Sequence, residues 1–325
     1  MNTEMCGKFE MAAIGSSRFA TPRRALIAAL LAAGIAAGTA ALAAETKHKT
    51  FATPEDAAAA FIAATKSGDA QAMRDVLGPG SASIVQSGDA VSDRRGRERF
   101  VQAYGEANKL VRQGDAKATL LVGKDEWPLP IPIVKDAAGW RFDTKQGREE
   151  ILNRRIGRNE LSAMQAVLAY VDAQREYYLR NPQGDKLLHY AQKIVSAPGT
   201  RDGLYFATKA GERPSPLGPL FAGAKAEGYK KAEGGLPVAY HGYHYRILRG
   251  QGASAPGGAY DYVAQGKMIG GFALVAWPAS YGNSGVMTFI VNHDGVVYEK
   301  DLGPDTASAV KKITRFNPDK TWKRH

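Results

Sequence analysis

Apolar positions recur along this 325-residue chain at helical spacing first and in short strand-like runs afterwards, and the pattern then repeats. In TPEDAAAAFIAATKSGD, Thr53, Pro54 and Asp56 read as N-cap, first-turn proline and capping acid. A threonine oxygen accepts an orphan N–H there, and proline loses nothing at the first helical position. Phe61 and Ile62 supply that helix's apolar face, and DAQAMRDVLG predicts a second helix starting on Asp69 and stopping at Gly78. Phe100, Tyr104, Ala107 and Val111 recur at near-helical spacing and predict a third helix through Asp93–Asp115. ATLLVG, LPIPIV and GWRFDT follow as strand-like runs separated by Gly123, Lys135-Asp136 and Gly139, the pattern of an antiparallel sheet.

Leu161, Met164, Leu168 and Val171 restart the helical spacing, with Asn159 placed to cap and Pro182 to stop a helix of about five to six turns. DKLLHYAQKIVSAPGTRDGLYF predicts a shorter helix and a loop, and ERPSPLGPLFAGAKAEG reads as loop, with Pro214, Pro216 and Pro219 fixing an extended path. From Tyr240 the chain turns to strands: YHGYHYRIL, KMIGGFALVAWP, GVMTFIVN and GVVYEKDL, joined by glycine-rich connections such as QGASAPGGAYDYVAQG. ASAVKKITRF predicts a last short helix. The expected fold class is α+β: N-terminal helices on a curved antiparallel sheet over 44–158, then a long helix packed on an antiparallel β-meander over 159–325.

The N-terminus changes the picture from fold to compartment. Arg18, Arg23 and Arg24 precede an uncharged run from Ala25 to Ala44, and Ala41-Leu42-Ala43 supplies the small residues that a signal peptidase reads. The run is rich in alanine and glycine, weakly apolar for a stable membrane span, so residues 1–43 are expected to be a cleaved signal peptide and the mature chain periplasmic or secreted. Arg23-Arg24 faintly resembles a twin-arginine signal, although Pro22 stands where serine or threonine is usual. The one cysteine, Cys6, would leave with the leader, so the mature chain is expected to have no disulfide, thiol nucleophile or cysteine-held metal. The net charge is +11. Its basic residues are interspersed with acids, as in SDRRGRERF, which points to solvation and attraction to an anionic envelope rather than to nucleic acid.

Candidate chemistry is sparse. Asn292, His293, Asp294 and Gly295 suggest a metal loop, but an EF-hand register puts Ile290 at its first ligand position, and the flanking β-branched residues predict a hairpin tip instead. His241 and His244, three apart in a strand, point to opposite faces, and His189 and His293 have no ligand spacing. Ser284 lacks the G-x-S-x-G elbow, and the paired glycines lack a phosphate-cradle context. No cofactor, metal or catalytic residue is expected. The remaining signal is the aromatic density of Tyr240, Tyr243, Tyr245, Tyr260, Tyr262, Trp277, Tyr281 and Tyr298. Such residues serve as cross-strand core pairs or as stacking surfaces for a ligand. Tyr260, Asp261, Tyr262 and Tyr281 are the binding candidates, with GGAYDYV as the exposed loop.

The phrases RRIGRNELSAM, YVDAQREYY, SAPGTRDGLYF, APGGAYDYV, GGFALVAWP and YGNSGVMTFIVNHDGVVYEKDLGPDT resemble the bacterial family catalogued as domain of unknown function 2950. That resemblance implies an exported protein and carries no catalytic residues with it. The order of elements over Phe51 to Arg158 resembles the nuclear transport factor 2-like cone, and the helix and strands after it resemble the globular part of pilins and pseudopilins. The sparse chemistry and these likenesses together leave three readings open. The first is a non-enzymatic envelope module binding an unknown protein or ligand. The second is a carboxylate- or tyrosine-dependent hydrolase or isomerase around Asp125, Glu126 or Asp143, and the third a minor component of a pilus-like or secretion assembly.

Overall fold

The computed structural model describes residues 48–229 and 239–325. The expected signal peptide, residues 1–43, lies outside them. The fold is α+β, and all described residues belong to one compact unit, Glu45–His325.

Local chemistry sets the first elements as expected. Helix α1 (Pro54–Ser67) is capped by Thr53, whose oxygen accepts from Asp56 N at 3.1 Å, and α2 (Ala70–Leu77) by Asp69, which takes the amides of Gln71 and Ala72. A single turn, α3 (Ala82–Val85), leads to α4 (Ala90–Glu106), capped by Asp89. The third helix was expected to run to Asp115, but α4 stops at Ala107, where Gly123 N bonds the carbonyls of both Ala103 and Ala107. Asn108–Arg112 instead forms β1 and pairs antiparallel with β2 (Lys117–Val122), so Val111 sits opposite Thr119. A sheet partner outweighs the helical spacing there, since propensity is a weak prior against tertiary pairing.

This first sheet is completed by β3 (Trp127–Pro128), β4 (Ile133–Asp136) and β5 (Gly139–Phe142), in the order β1-β2-β4-β5 with β3 on β2. Its inward residues, among them Ala118, Leu120, Ile133 and Phe142, meet Phe61, Met73 and Leu77 from the helices. Phe61 packs between Phe142 and Phe100, with ring centroids 5.3 and 5.5 Å away.

The long helix starts earlier than expected. α5 runs from Thr144 to Arg180, 37 residues, from an Asp143 cap to a left-handed Asn181. Asn159 is therefore mid-helix, and its side chain donates to Ser284 O at 2.8 Å instead of capping. The next residue, Glu160, accepts the amides of Val286 and Met287, and Arg155 donates to Ser83 O, Ile84 O and Asn283 Oδ1. Beyond this polar girdle, Ala163, Val167, Tyr170, Val171 and Tyr177 enter a second core.

No helix follows in 185–206, where a shorter one was expected. Short pairings replace it, with Tyr190 N on Met268 O and Tyr205 N on Ile194 O. Conversely, the proline-rich segment read as loop contains α6 (Gly218–Ala226), because Pro219 falls in its first turn, where a fixed φ favours the helix. The second sheet has the order β14-β13-β12-β11-β6, all antiparallel: β6 (Tyr243–Leu248), β11 (Ala273–Pro278), β12 (Met287–Asn292), β13 (Val297–Asp301) and β14 (Lys323–Arg324). Two ribbons, β7 (Gly250–Gln251) with β8 (Tyr260–Asp261) and β9 (Val263–Ala264) with β10 (Lys267–Met268), fill the long β6 to β11 connection. One sheet face packs on α5, and the other is covered by the C-terminal segment with α7 (Thr306–Ala309), where Arg246 donates to the carbonyls of Val310 and Ile313.

Gly242 marks the junction of girdle and sheet. It adopts φ +76°, and an added Cβ would lie 2.5 Å from Asn159 Nδ2. Gly242→Ala is expected to destabilise the protein by about 2–3 kcal/mol through both effects, and Asn159→Ala by about 1–3 kcal/mol through the stranded carbonyl of Ser284. Denaturant unfolding of each variant checks this; values within 0.5 kcal/mol of the parent, the range of an ordinary surface change, would contradict it.

Candidate functional site

The feature that stands out is a cavity of about 520 Å³ around the β6 edge of the second sheet. Since β6 ends the strand order, side chains on both of its faces reach the same hollow: Tyr245 and Leu274 on one, His244 opposite Trp277 on the other. Helix α5 contributes Ala166 and Tyr170. Helix α6 closes another side with Leu217, Leu220, Phe221 and Lys225, and Phe221 stacks on Tyr205 at 4.2 Å between centroids and 12° between planes. Ile194 lies beside Tyr205 through the pairing that replaced the expected helix.

Tyr229 and Tyr240 complete the wall, their rings edge to face at 5.2 Å. Tyr229 is held from outside the second core. Its hydroxyl donates to Asp89 Oδ2 at 2.6 Å, and the same oxygen accepts Gly242 N at 3.0 Å, while Asp89 Oδ1 caps α4. One buried carboxylate thus ties α4, the end of α6's trailing turn and the turn entering β6.

The wall's polar groups divide into spent and unspent. Tyr170 Oη donates to Ala273 O at 3.2 Å, Tyr245 Oη to Tyr240 O at 3.4 Å and Tyr229 Oη to Asp89. Burial pushes the Tyr170 hydroxyl upward, and burial with the Asp89 hydrogen bond does the same for Tyr229, so these remain protonated donors. Among the described residues, Lys225 Nζ, Tyr240 Oη and the His244 ring have no hydrogen-bond or ion-pair partner. Burial, followed by the charge of Glu227, pushes the Tyr240 hydroxyl up to about 12, and burial pushes His244 down, which favours its neutral ring. Among the described residues, no aspartate or glutamate lines the cavity.

A family model described as a protein of unknown function, DUF2950, matches residues 48–325. The chain belongs to the DUF2950 family. Comparison with curated proteins and with solved structures finds no match.

None of the four binding candidates read from this DUF2950 sequence lines the cavity. Tyr260 is exposed and Asp261 pairs with Arg315 at 2.5 Å, but Tyr262, placed with them on an exposed loop, is fully buried and donates to Gln251 Oε1 at 2.9 Å. The glycine-rich loop looks wet in sequence, yet Gln251 also donates to Pro256 O and Gly258 O and draws it inward. Tyr281 donates to Asp301 Oδ2 at 3.1 Å. The wider aromatic signal divides: Tyr240, Tyr245 and Trp277 form cavity wall, while Tyr243 and Tyr262 are core. Tyr205, Phe221, Tyr229 and Lys225 were missed because their segments read as loop, and Phe221 and Lys225 sit four apart on α6, a signal that needed the helix to be seen.

The remaining chemical candidates are structural. Asn292 to Gly295 form the β12–β13 hairpin tip, with Gly295 at φ +79° and Asp294 N bonded to Asn292 Oδ1. Ser284 is buried and spends its hydroxyl on Ser280. His241 lies in the turn before β6, not in the strand, with Nε2 3.7 Å from Glu227. Among the described residues, no three His, Cys, Asp or Glu side chains converge to hold a metal. In the first sheet, Asp125 and Glu126 are exposed turn residues and Asp143 caps α5.

His244 supplies a test of the cavity's dryness. A depressed histidine contributes stability above its ordinary value of about 6.5 that is lost as pH falls through the depressed one. The ring proton of His244, followed by NMR, is expected to titrate below that ordinary value; a midpoint at or above it would contradict the buried wall.

Proposed function

We propose that this protein is an exported, non-enzymatic binding module whose ligand seat is the cavity at the β6 edge. The observation that carries the proposal is the wall itself: a hollow of about 520 Å³ lined largely by aromatic and aliphatic side chains at the edge of the second core. Protein interiors are close-packed, and a hollow of this size costs stability unless something occupies it. Small-molecule sites are commonly concave, mostly apolar and on the order of 300–1,000 Å³, with a few placed polar groups. The wall combines rings that stack with three unspent polar groups, and the hydroxyls of Tyr170, Tyr229 and Tyr245 are committed to protein acceptors. The occupant in this reading is a small molecule with a planar or branched apolar body.

Export rests on the sequence of residues 1–43, and among the described residues no helix is long and apolar enough to cross a membrane. In the same proposal the first sheet with its helices is a nuclear transport factor 2-like layer and the second a pilin-like one, used here for binding rather than for polymerisation.

Two outcomes are expected. Protein recovered from the envelope of expressing cells begins at or near Ala44 by N-terminal sequencing; recovery only as a membrane-bound chain retaining residues before Ala25 would contradict export. The mature chain binds the neutral aromatic dye phenylnaphthylamine, with fluorescence transfer from Trp277, and Ala166→Phe, which fills the hollow, weakens this at least about tenfold, or ~1.4 kcal/mol. Undiminished binding in a folded Ala166→Phe protein would place the dye elsewhere.

A further inference from the structure

The chemistry of the unspent groups goes further and, resting on the cavity as ligand seat, names the class of ligand. We infer that the occupant is an anionic amphiphile: an apolar, ring-compatible body lying among the aromatic residues, with a carboxylate, sulfonate or phosphate group held at Lys225.

Lys225 offers three N–H donors and no acceptor, Tyr240 Oη one donor, and a neutral His244 one donor and one acceptor. The set is dominated by donors and carries one positive charge. Among the described residues, no wall carboxylate offsets that charge. The nearest acidic neighbour in sequence, Glu227, is already engaged, by Arg95 at 3.1 Å and by His241 at 3.7 Å. Arg246, whose guanidinium lies 5.6 Å from the Trp277 ring, is also committed, to the carbonyls of Val310 and Ile313. Among the described residues, Lys225 is therefore the cation at the wall without a protein acceptor.

Position separates the two ends of the ligand. Lys225 is exposed, whereas Tyr170 and Leu274 at the other side of the wall are 2% and 1% exposed. A charged group is costly to bury and cheap to leave at the rim, so the acid stays with Lys225 and the body goes inward. A cationic ligand meets the opposite arrangement, one positive charge and no acceptor carboxylate, and is disfavoured. A neutral ligand gains the stacking but leaves Lys225 unused.

The test compares two dyes with the same body, phenylnaphthylamine and its sulfonated counterpart anilinonaphthalene sulfonate, titrated by fluorescence into the mature chain at low salt. The sulfonate is expected to bind about tenfold more tightly, a charge-assisted contact at a partly exposed site, and the advantage to shrink as salt rises. Lys225→Gln should remove the advantage, lowering the ratio of sulfonate to neutral-dye affinity about tenfold, and Lys225→Glu should invert the preference. Lys225 is exposed, so neither variant threatens folding. Equal affinities for the two dyes, or a sulfonate advantage that survives Lys225→Gln, would overturn the anionic assignment while leaving the cavity reading standing. Failure of the neutral dye to bind, or its binding undiminished in folded Ala166→Phe protein, would overturn the cavity reading and this inference with it.

Discussion

One helix enters both hydrophobic cores, and everything else in the described residues is arranged around that constraint. α5 gives Ile151 to the first core and Val167, Tyr170 and Tyr177 to the second. Between them it must pass from one apolar environment to another, and it does so through Arg155, Asn159 and Glu160. Each of these side chains takes up backbone groups of Ser83–Ile84, in the single turn α3, or of Ser284–Met287, where the chain enters β12. Burial pushes the Arg155 guanidinium's pKa down, and its three oxygen acceptors compensate for the water it has lost. A helix that gives apolar side chains to each core and polar ones between them serves two cores at once.

The cavity is a consequence of where that helix ends up. Ala166 is small and faces the β6 edge, and Tyr170 fixes the depth of the hollow by reaching Ala273 O. Asp89, in front of α4, then supplies a contact from the first half of the chain by holding Tyr229 and the turn of Gly242 in place. The binding wall thus draws on elements whose residue numbers run from 89 to 277, and its geometry depends on the girdle that aligns them.

What could be read in the sequence was whatever local chemistry decides. Thr53, Asp69 and Gly78 bound their helices as expected, and the Asn292–Gly295 tip is a hairpin, because caps and tight turns are settled by neighbouring residues. Where a distant partner decides, the sequence misled. Val111 keeps helical spacing yet pairs with a strand that begins six residues later, and Asn159 looks like a cap yet answers Ser284, 125 residues away. The site followed the same rule. Its residues Tyr240, Tyr245 and Trp277 belonged to a visible aromatic cluster, but Phe221 and Lys225 depended on a helix hidden behind three prolines. Tyr262 shows the converse error, since a loop's composition says little about exposure when a buried glutamine gathers its carbonyls.

A ligand seated in the hollow at the β6 edge would leave a local signature. The four tryptophans report on it separately: Trp277 is wall, Trp140 first core, Trp127 exposed on the first sheet and Trp322 packed near the C-terminus. The most direct measurement is the set of four indole N–H resonances of the mature chain saturated with anilinonaphthalene sulfonate. The Trp277 signal is expected to move while those of Trp127, Trp140 and Trp322 hold still; a bound dye that shifts Trp127 or Trp322 and leaves Trp277 untouched would contradict a ligand seat in the hollow.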